Sequence, residues 1–190
     1  MNTLVRVLGG LALVVLLLLV VAFFLPASSH VERSVLIDAK PMDAFTLVNY
    51  LPNWQKWSPW YELEPEARLT YSEPASGNGA WYSWVGDKTG SGKLTLAKVE
   101  SPRRIETDLY FEGQGDAEAD FVFEPVGEDQ VRVTWMFDTE HGNNPAARYF
   151  GLMMDGFLGP DYERGLANLK REAEAARTSA DAQRKEYRSL

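Results

Sequence analysis

Hydrophobic and polar positions divide the chain into three stretches with different periods. Residues 7–25 (VLGGLALVVLLLLVVAFFL) form an uninterrupted apolar run of nineteen positions without a charge. At about 1.5 Å per residue, a helix of that length approaches the roughly 30 Å of a bilayer core, and it satisfies its own backbone there. A period of two then dominates. Strands are predicted over residues 30–39, 67–72, 80–86, 92–99, 104–111, 116–125 and 130–139. Gly77-Asn78-Gly79, Gly86-Asp87, Ser101-Pro102, Gly113 and Gly127 supply turn chemistry between them. In the last strand Val131, Val133, Trp135 and Phe137 share one face, with Arg132, Thr134 and Asp138 on the other. Two short helices interrupt the strand pattern, opened by Pro41 and Pro52. The second ends near Trp57, because the residue before Pro59 avoids helical angles. The third stretch has helical spacing. Phe150, Met153, Met154 and Phe157 recur on one side, Gly159-Pro160 is expected to break or kink the run, and residues 161–176 carry a stripe of Tyr162, Leu166, Leu169 and Ala173.

Sequential hairpins of this kind predict one antiparallel sheet that curves. The long amphipathic C-terminal helix is expected to cover its concave face. A curved sheet and a helix that do not touch everywhere leave a cavity between them.

The apolar N-terminus admits two readings. A cleaved signal peptide has a shorter apolar core and a small-x-small site. Here the run is longer and ends in Phe23-Phe24-Leu25-Pro26, so an uncleaved anchor is expected. Arg6 precedes it, which by the positive-inside rule favours a cytoplasmic N-terminus and a domain on the far side of an inner (cytoplasmic) membrane, in the periplasm of a Gram-negative cell. The chain divides into an anchor and linker over residues 1–29, a domain over 30–176 and a charged tail over 177–190, expected to fray.

Composition narrows the chemistry. The net charge is −8 and only Arg6 of the charged side chains precedes Glu32, so the domain is acidic and lacks the basic face that nucleic acids require. With no cysteine, disulfides, thiolate metal sites and cysteine nucleophiles are excluded. Aromatics make up 12% of the chain, and three of its six tryptophans fall in WQKWSPW, at positions 54, 57 and 60. Tryptophan buries a large area yet keeps an N–H that wants a partner, so it suits either a packed core or the wall of a cavity.

Several residues together carry a family resemblance: Trp54, Trp57-Ser58-Pro59-Trp60, Gly79-Ala80, Tyr82, Trp84, Gly86, Gly90, Gly92, Val133-Thr134-Trp135 and Gly165-Leu166 with Leu169-Lys170. In this order they resemble the START-like, or SRPBCC, superfamily, within it the membrane-anchored bacterial "polyketide cyclase/dehydrase and lipid transport" group. The resemblance implies an α+β helix-grip fold, a curved antiparallel sheet of about seven strands around a long C-terminal helix, preceded here by one transmembrane helix. It also implies a hydrophobic small molecule or lipid bound in an internal cavity, with no cofactor and no nucleic acid. Candidate lining residues are Trp57, Trp60, Trp81, Trp84, Phe121, Phe123, Trp135, Phe150, Met153 and Phe157. The group name implies a second function, a cyclase or dehydratase with Tyr82, Tyr110 or Arg132 as acid or base. A third is an interaction module of the cell envelope.

Other motifs lead nowhere. GDKTGSGK (86–93) has one residue too many for a phosphate loop and lies between strands, so it reads as a glycine-rich hairpin. Gly90-Ser91-Gly92 lacks the outer glycines of a nucleophile elbow. His30 and His141 lie far apart and read as solvated loop residues. Asp116, Glu118 and Asp120 read as the solvent face of a strand, and Glu62, Glu64 and Glu66 as a solvated loop cluster. The anchor is checked by fractionation and intact mass. The full-length chain is expected in the membrane, and a mature soluble protein starting near Ala27 or Ser28 would contradict it.

Overall fold

The structure, a computed structural model, describes residues 3–188. Helix α1 covers Thr3–Ala22. Strand β1 (Ser28–Ile37) follows, then α2 (Pro41–Asn49), a 3-10 turn, α3 (Trp54–Trp57) and α4 (Pro59–Leu63). Six strands come next: β2 (Arg68–Tyr71), β3 (Trp81–Val85), β4 (Ser91–Glu100), β5 (Arg104–Phe111), β6 (Gly115–Val126) and β7 (Gln130–Glu140). Helices α5 (Pro145–Gly151) and α6 (Met154–Arg188) close the chain.

All seven strands join one antiparallel sheet in the order β1-β7-β6-β5-β4-β3-β2. The six later strands pair with their neighbours in sequence. β1 pairs with the last of them, Val31 opposite Phe137 and Ile37 opposite Val131, while α2 to α4 carry the chain across to β2 at the other edge. Register follows side-chain alternation, since a one-residue slip would turn every apolar residue outward. Val131, Val133, Trp135 and Phe137 are buried on the concave face, as are Ala117, Ala119, Phe121 and Phe123 of β6. Asp116 and Glu118 are exposed on the convex face. The helix-grip arrangement is therefore present, with α6 along the β1 and β7 side and α2 to α4 packed between it and the sheet.

The tryptophan-rich segment closes α2. The indoles of Trp54 and Trp57 donate to the carbonyls of Val48 (2.8 Å) and Leu47 (3.1 Å) near the end of that helix, satisfying groups a helix end leaves unpaired. Both rings are buried.

Of the break or kink expected at Gly159-Pro160, the break is absent, because α6 runs through Pro160 as one continuous helix. Arg33 of β1 spans the proline. Its guanidinium bonds Asp155 before the proline and Glu163 after it, each at 2.8 Å, and so clamps both sides of the missing hydrogen bond. Gly159 packs against that guanidinium, where a Cβ would overlap it. Past residue 176, where fraying was expected, α6 stays helical to Arg188, and Arg177 donates to the carbonyls of Asp38 and Asp129.

Farther along α6, Gly165 is where the helix comes close to the Trp135 ring of the sheet. A Cβ there would press on the Trp135 ring and on Pro59. Gly165→Leu is therefore expected to overpack this contact and destabilise the domain by roughly 1–3 kcal/mol, read by urea denaturation.

Candidate ligand cavity

The core is organised around Trp135. Its ring is stacked between Tyr162 of α6 (centroids 3.9 Å apart) and Phe121 of β6 (4.8 Å). Trp54, Trp57 and Trp60 meet it edge-on at 6.3, 5.5 and 5.5 Å. Edge-to-face and offset-stacked pairs add about 0.5–1.5 kcal/mol each beyond the area they bury. One wall of this cluster is open. Between it and strands β2 to β5 lies a cavity of about 160 Å³. Its deep end is formed by Trp54, Ser58, Leu94, Ala119, Trp135 and Tyr162, all buried. Its rim includes Tyr61, Tyr71, Thr89, Phe111 and Leu158, which are partly exposed.

Of the candidate residues named from sequence, Trp60, Trp84 and Trp135 stand in this wall. The other seven do not, and each has a physical reason. Trp57 is packed beneath the wall with its N–H spent on α2. Phe121 backs Trp135, and Phe123 packs on Phe45 of α2 at 5.4 Å. Trp81 is on the opposite sheet face from Tyr82 and Trp84, with the Lys93 ammonium 4.7 Å above its ring. Phe150, Met153 and Phe157 lie outside the cavity, more than half exposed, because the α5–α6 elbow packs on α1 and the start of β1 rather than across the sheet. The wall also contains Trp54, which the sequence left between core and cavity wall, Tyr82, considered there only as an acid or base, and Tyr162, which sequence reasoning missed. Alternation with Trp84 places Tyr82 inward, and the α6 stripe already contained Tyr162.

The polar groups of the cavity are few. Among the described residues the Trp135 indole Nε1 is buried without a hydrogen-bond partner. It lies at the opposite end of the ring from the edge that touches Gly165. The Tyr82 phenol is pushed above its ordinary value by burial, with Tyr71 beside it adding to the effect, and stays a hydrogen-bond donor at neutral pH. Burial raises Tyr162 in the same way. Tyr110 and Arg132 are exposed on the convex face, away from the cavity.

The rim contains a correction to the loop reading of Glu64. This carboxylate is buried and accepts from the backbone N–H groups of Asp87 (2.6 Å), Lys88 (3.1 Å) and Thr89 (2.9 Å) and from the Thr89 hydroxyl (2.7 Å). The glycine-rich hairpin is thus an anion-binding nest, filled by the chain's own side chain. Gly86 lines it so closely that a Cβ would overlap the carboxylate. The histidines are also bonded rather than free. His30 contacts Asp138 at 2.8 Å, which raises its pKa, and His141 Nε2 bonds the Ser29 hydroxyl at 2.7 Å. That hydroxyl lies 3.1 Å from the Gly151 carbonyl, so the pair braces the elbow.

Comparison with known proteins agrees with the geometry. Residues 28–174 match the family described as "Polyketide cyclase / dehydrase and lipid transport", and the chain belongs to that family. No curated relative matches the sequence. Among solved structures, norcoclaurine synthase from Thalictrum flavum superposes with a TM-score of 0.54 at 12% identity, over 75% of this chain and 91% of that one. The di-domain ARO/CYC BexL of the BE-7585A biosynthetic pathway gives 0.57 at 18%, over 76% of this chain and 46% of that one. Protein SA2116 from Staphylococcus aureus gives 0.59 at 8%, over 80% and 98%. At these identities the likeness establishes the fold.

The nest makes a pH prediction. Hydrogen bonds, the Thr89 hydroxyl first, hold the Glu64 carboxyl down at about 2 against an ordinary 4.5. A depressed carboxyl contributes stability above its unfolded value and loses it as pH falls through the folded one. Melting temperature is expected to drop as pH falls from about 4.5 towards about 2. Glu64→Gln should melt several degrees lower at neutral pH, lose part of that acid dependence and show faster amide exchange at Asp87, Lys88 and Thr89.

Proposed function

We propose that the protein is a membrane-anchored carrier that binds an amphipathic small molecule or lipid, with α1 as the anchor. The observation that carries this reading is an aromatic-walled cavity with Trp135, whose buried indole N–H has no hydrogen-bond partner, in its deep wall. An apolar cavity of about 150 Å³ already takes a benzene-sized ring. This one is open at its rim, so a ring system or chain end fits inside while the rest of a larger ligand projects. The apolar wall supplies affinity and the few polar groups fix orientation. Trp135 Nε1 offers a hydrogen bond to an oxygen acceptor, a carbonyl or hydroxyl, on the buried end of the ligand. Tyr82 offers a second donor. Neither is a base at neutral pH, and this favours binding over proton abstraction.

The test is a matched pair of probes, naphthalene and 2-acetylnaphthalene, titrated against the full chain by tryptophan quenching. Both are expected to bind. The ketone should bind about 2–10-fold more tightly, the worth of one net hydrogen bond. Trp135→Phe should remove that preference while keeping affinity for the hydrocarbon, and Ala119→Phe, which fills the deep end, should weaken both. Binding by neither probe with the melt intact would overturn the carrier reading. Equal binding of the two would mean that a neighbouring ring face already satisfies the indole N–H.

A further inference from the structure

The exposed residues Phe150, Leu152, Met153 and Phe157 form an apolar patch on the α5–α6 elbow, each between 53% and 59% exposed. The patch is ordered by its own contacts, since the Phe150 and Phe157 rings stack at 5.9 Å across the elbow. It is also fixed to the end of α1. The Arg148 guanidinium donates to the carbonyls of Ala22 and Phe23, both at 3.2 Å, and of Leu25 at 3.4 Å, capping the helix as a cation at its C-terminus should. The Tyr149 hydroxyl donates to the Leu18 carbonyl at 2.9 Å. On the other side, Ser29 and His141 brace Gly151, where a Cβ would overlap both.

These contacts set a depth. Leu18 lies four residues before Ala22, so the Tyr149 hydroxyl sits about 6 Å short of the end of α1. The side chains of α1 remain exposed along its length apart from Ala22. If α1 spans a bilayer, the elbow beside its last turn is at the hydrocarbon edge. Interfacial segments bury their apolar side roughly 5–10 Å at that boundary, with tyrosine and arginine at headgroup level.

We propose that the α5–α6 elbow is a second membrane contact, with Phe150, Leu152, Met153 and Phe157 immersed in the lipid interface around the end of α1. The proposal rests on α1 being the anchor. The elbow joins bilayer to cavity: Phe157 faces outward on α6 and the next residue, Leu158, lines the cavity rim. The rim is thus held at the lipid surface, where an amphipathic ligand resides.

Because the chain has no cysteine, single labels are unambiguous. Full-length Phe150→Cys, Met153→Cys and Phe157→Cys carry a bimane in phosphatidylcholine vesicles, with and without a nitroxide at carbon 5 of the acyl chain. Val20→Cys on α1 and Leu36→Cys on the convex face at the far end of β1 are the references. The three elbow labels are expected to lose most of their emission to the nitroxide, as Val20→Cys does, while Leu36→Cys keeps its own. Elbow labels as bright as Leu36→Cys beside a quenched Val20→Cys would overturn the proposal and leave the anchor standing. A bright Val20→Cys would overturn the anchor and the proposal together. Excimer emission from pyrene on Phe157→Cys, without nitroxide quenching, would assign the patch to a second copy of the chain and overturn the lipid contact.

Discussion

The stack of Phe121, Trp135 and Tyr162 is the constraint on which the rest depends. It joins the neighbouring strands β6 and β7 to α6 through rigid rings, and α6 approaches closely there because residue 165 has no side chain. Three further tryptophans meet the stack edge-on and tie it to α2 and α4. Large rings on one side of the concave face are balanced by small residues in the cavity wall, Ala67 and Ala119. Rings cannot collapse into the room that alanines leave. A dense aromatic cluster and an open cavity therefore lie side by side in one small domain, and Trp135 belongs to both.

The rim is held by electrostatics rather than packing. Glu64 ends α4 by reaching into the β3–β4 hairpin, where backbone N–H groups converge on it as they would on a bound anion. This fastens the short helices to the edge of the sheet that is farthest from α6. At the opposite side, Arg33 fastens α6 to β1 with two carboxylates. The two clamps hold the short helices and α6 to opposite sides of the sheet.

Most of the fold was legible because strand alternation and turn residues agree. The face of β7 with Val131, Val133, Trp135 and Phe137 and the outward Asp116 and Glu118 were readable directly. Pro160 misled, because the Arg33 clamp that spans it joins residues more than a hundred positions apart. The site was less legible. Trp81 and Trp84 differ by three positions and so point to opposite faces, which composition does not reveal. Phe150, Met153 and Phe157 have the spacing of a buried stripe, and only their attachment to α1 shows that the stripe faces outward. Glu64 looked like one of three solvated carboxylates, since its nest is formed by a hairpin twenty residues later.

The central claim is that the cavity presents the Trp135 N–H to an oxygen of a buried ligand. Its most direct test is the indole ¹H–¹⁵N resonance of Trp135 in the full chain, assigned by its loss in Trp135→Phe. The account requires that saturation with 2-acetylnaphthalene move this proton downfield, as a new hydrogen bond does, while naphthalene does not and the Trp81 resonance on the convex face stays in place. A Trp135 resonance that responds identically to both ligands, or to neither while they bind, would contradict it.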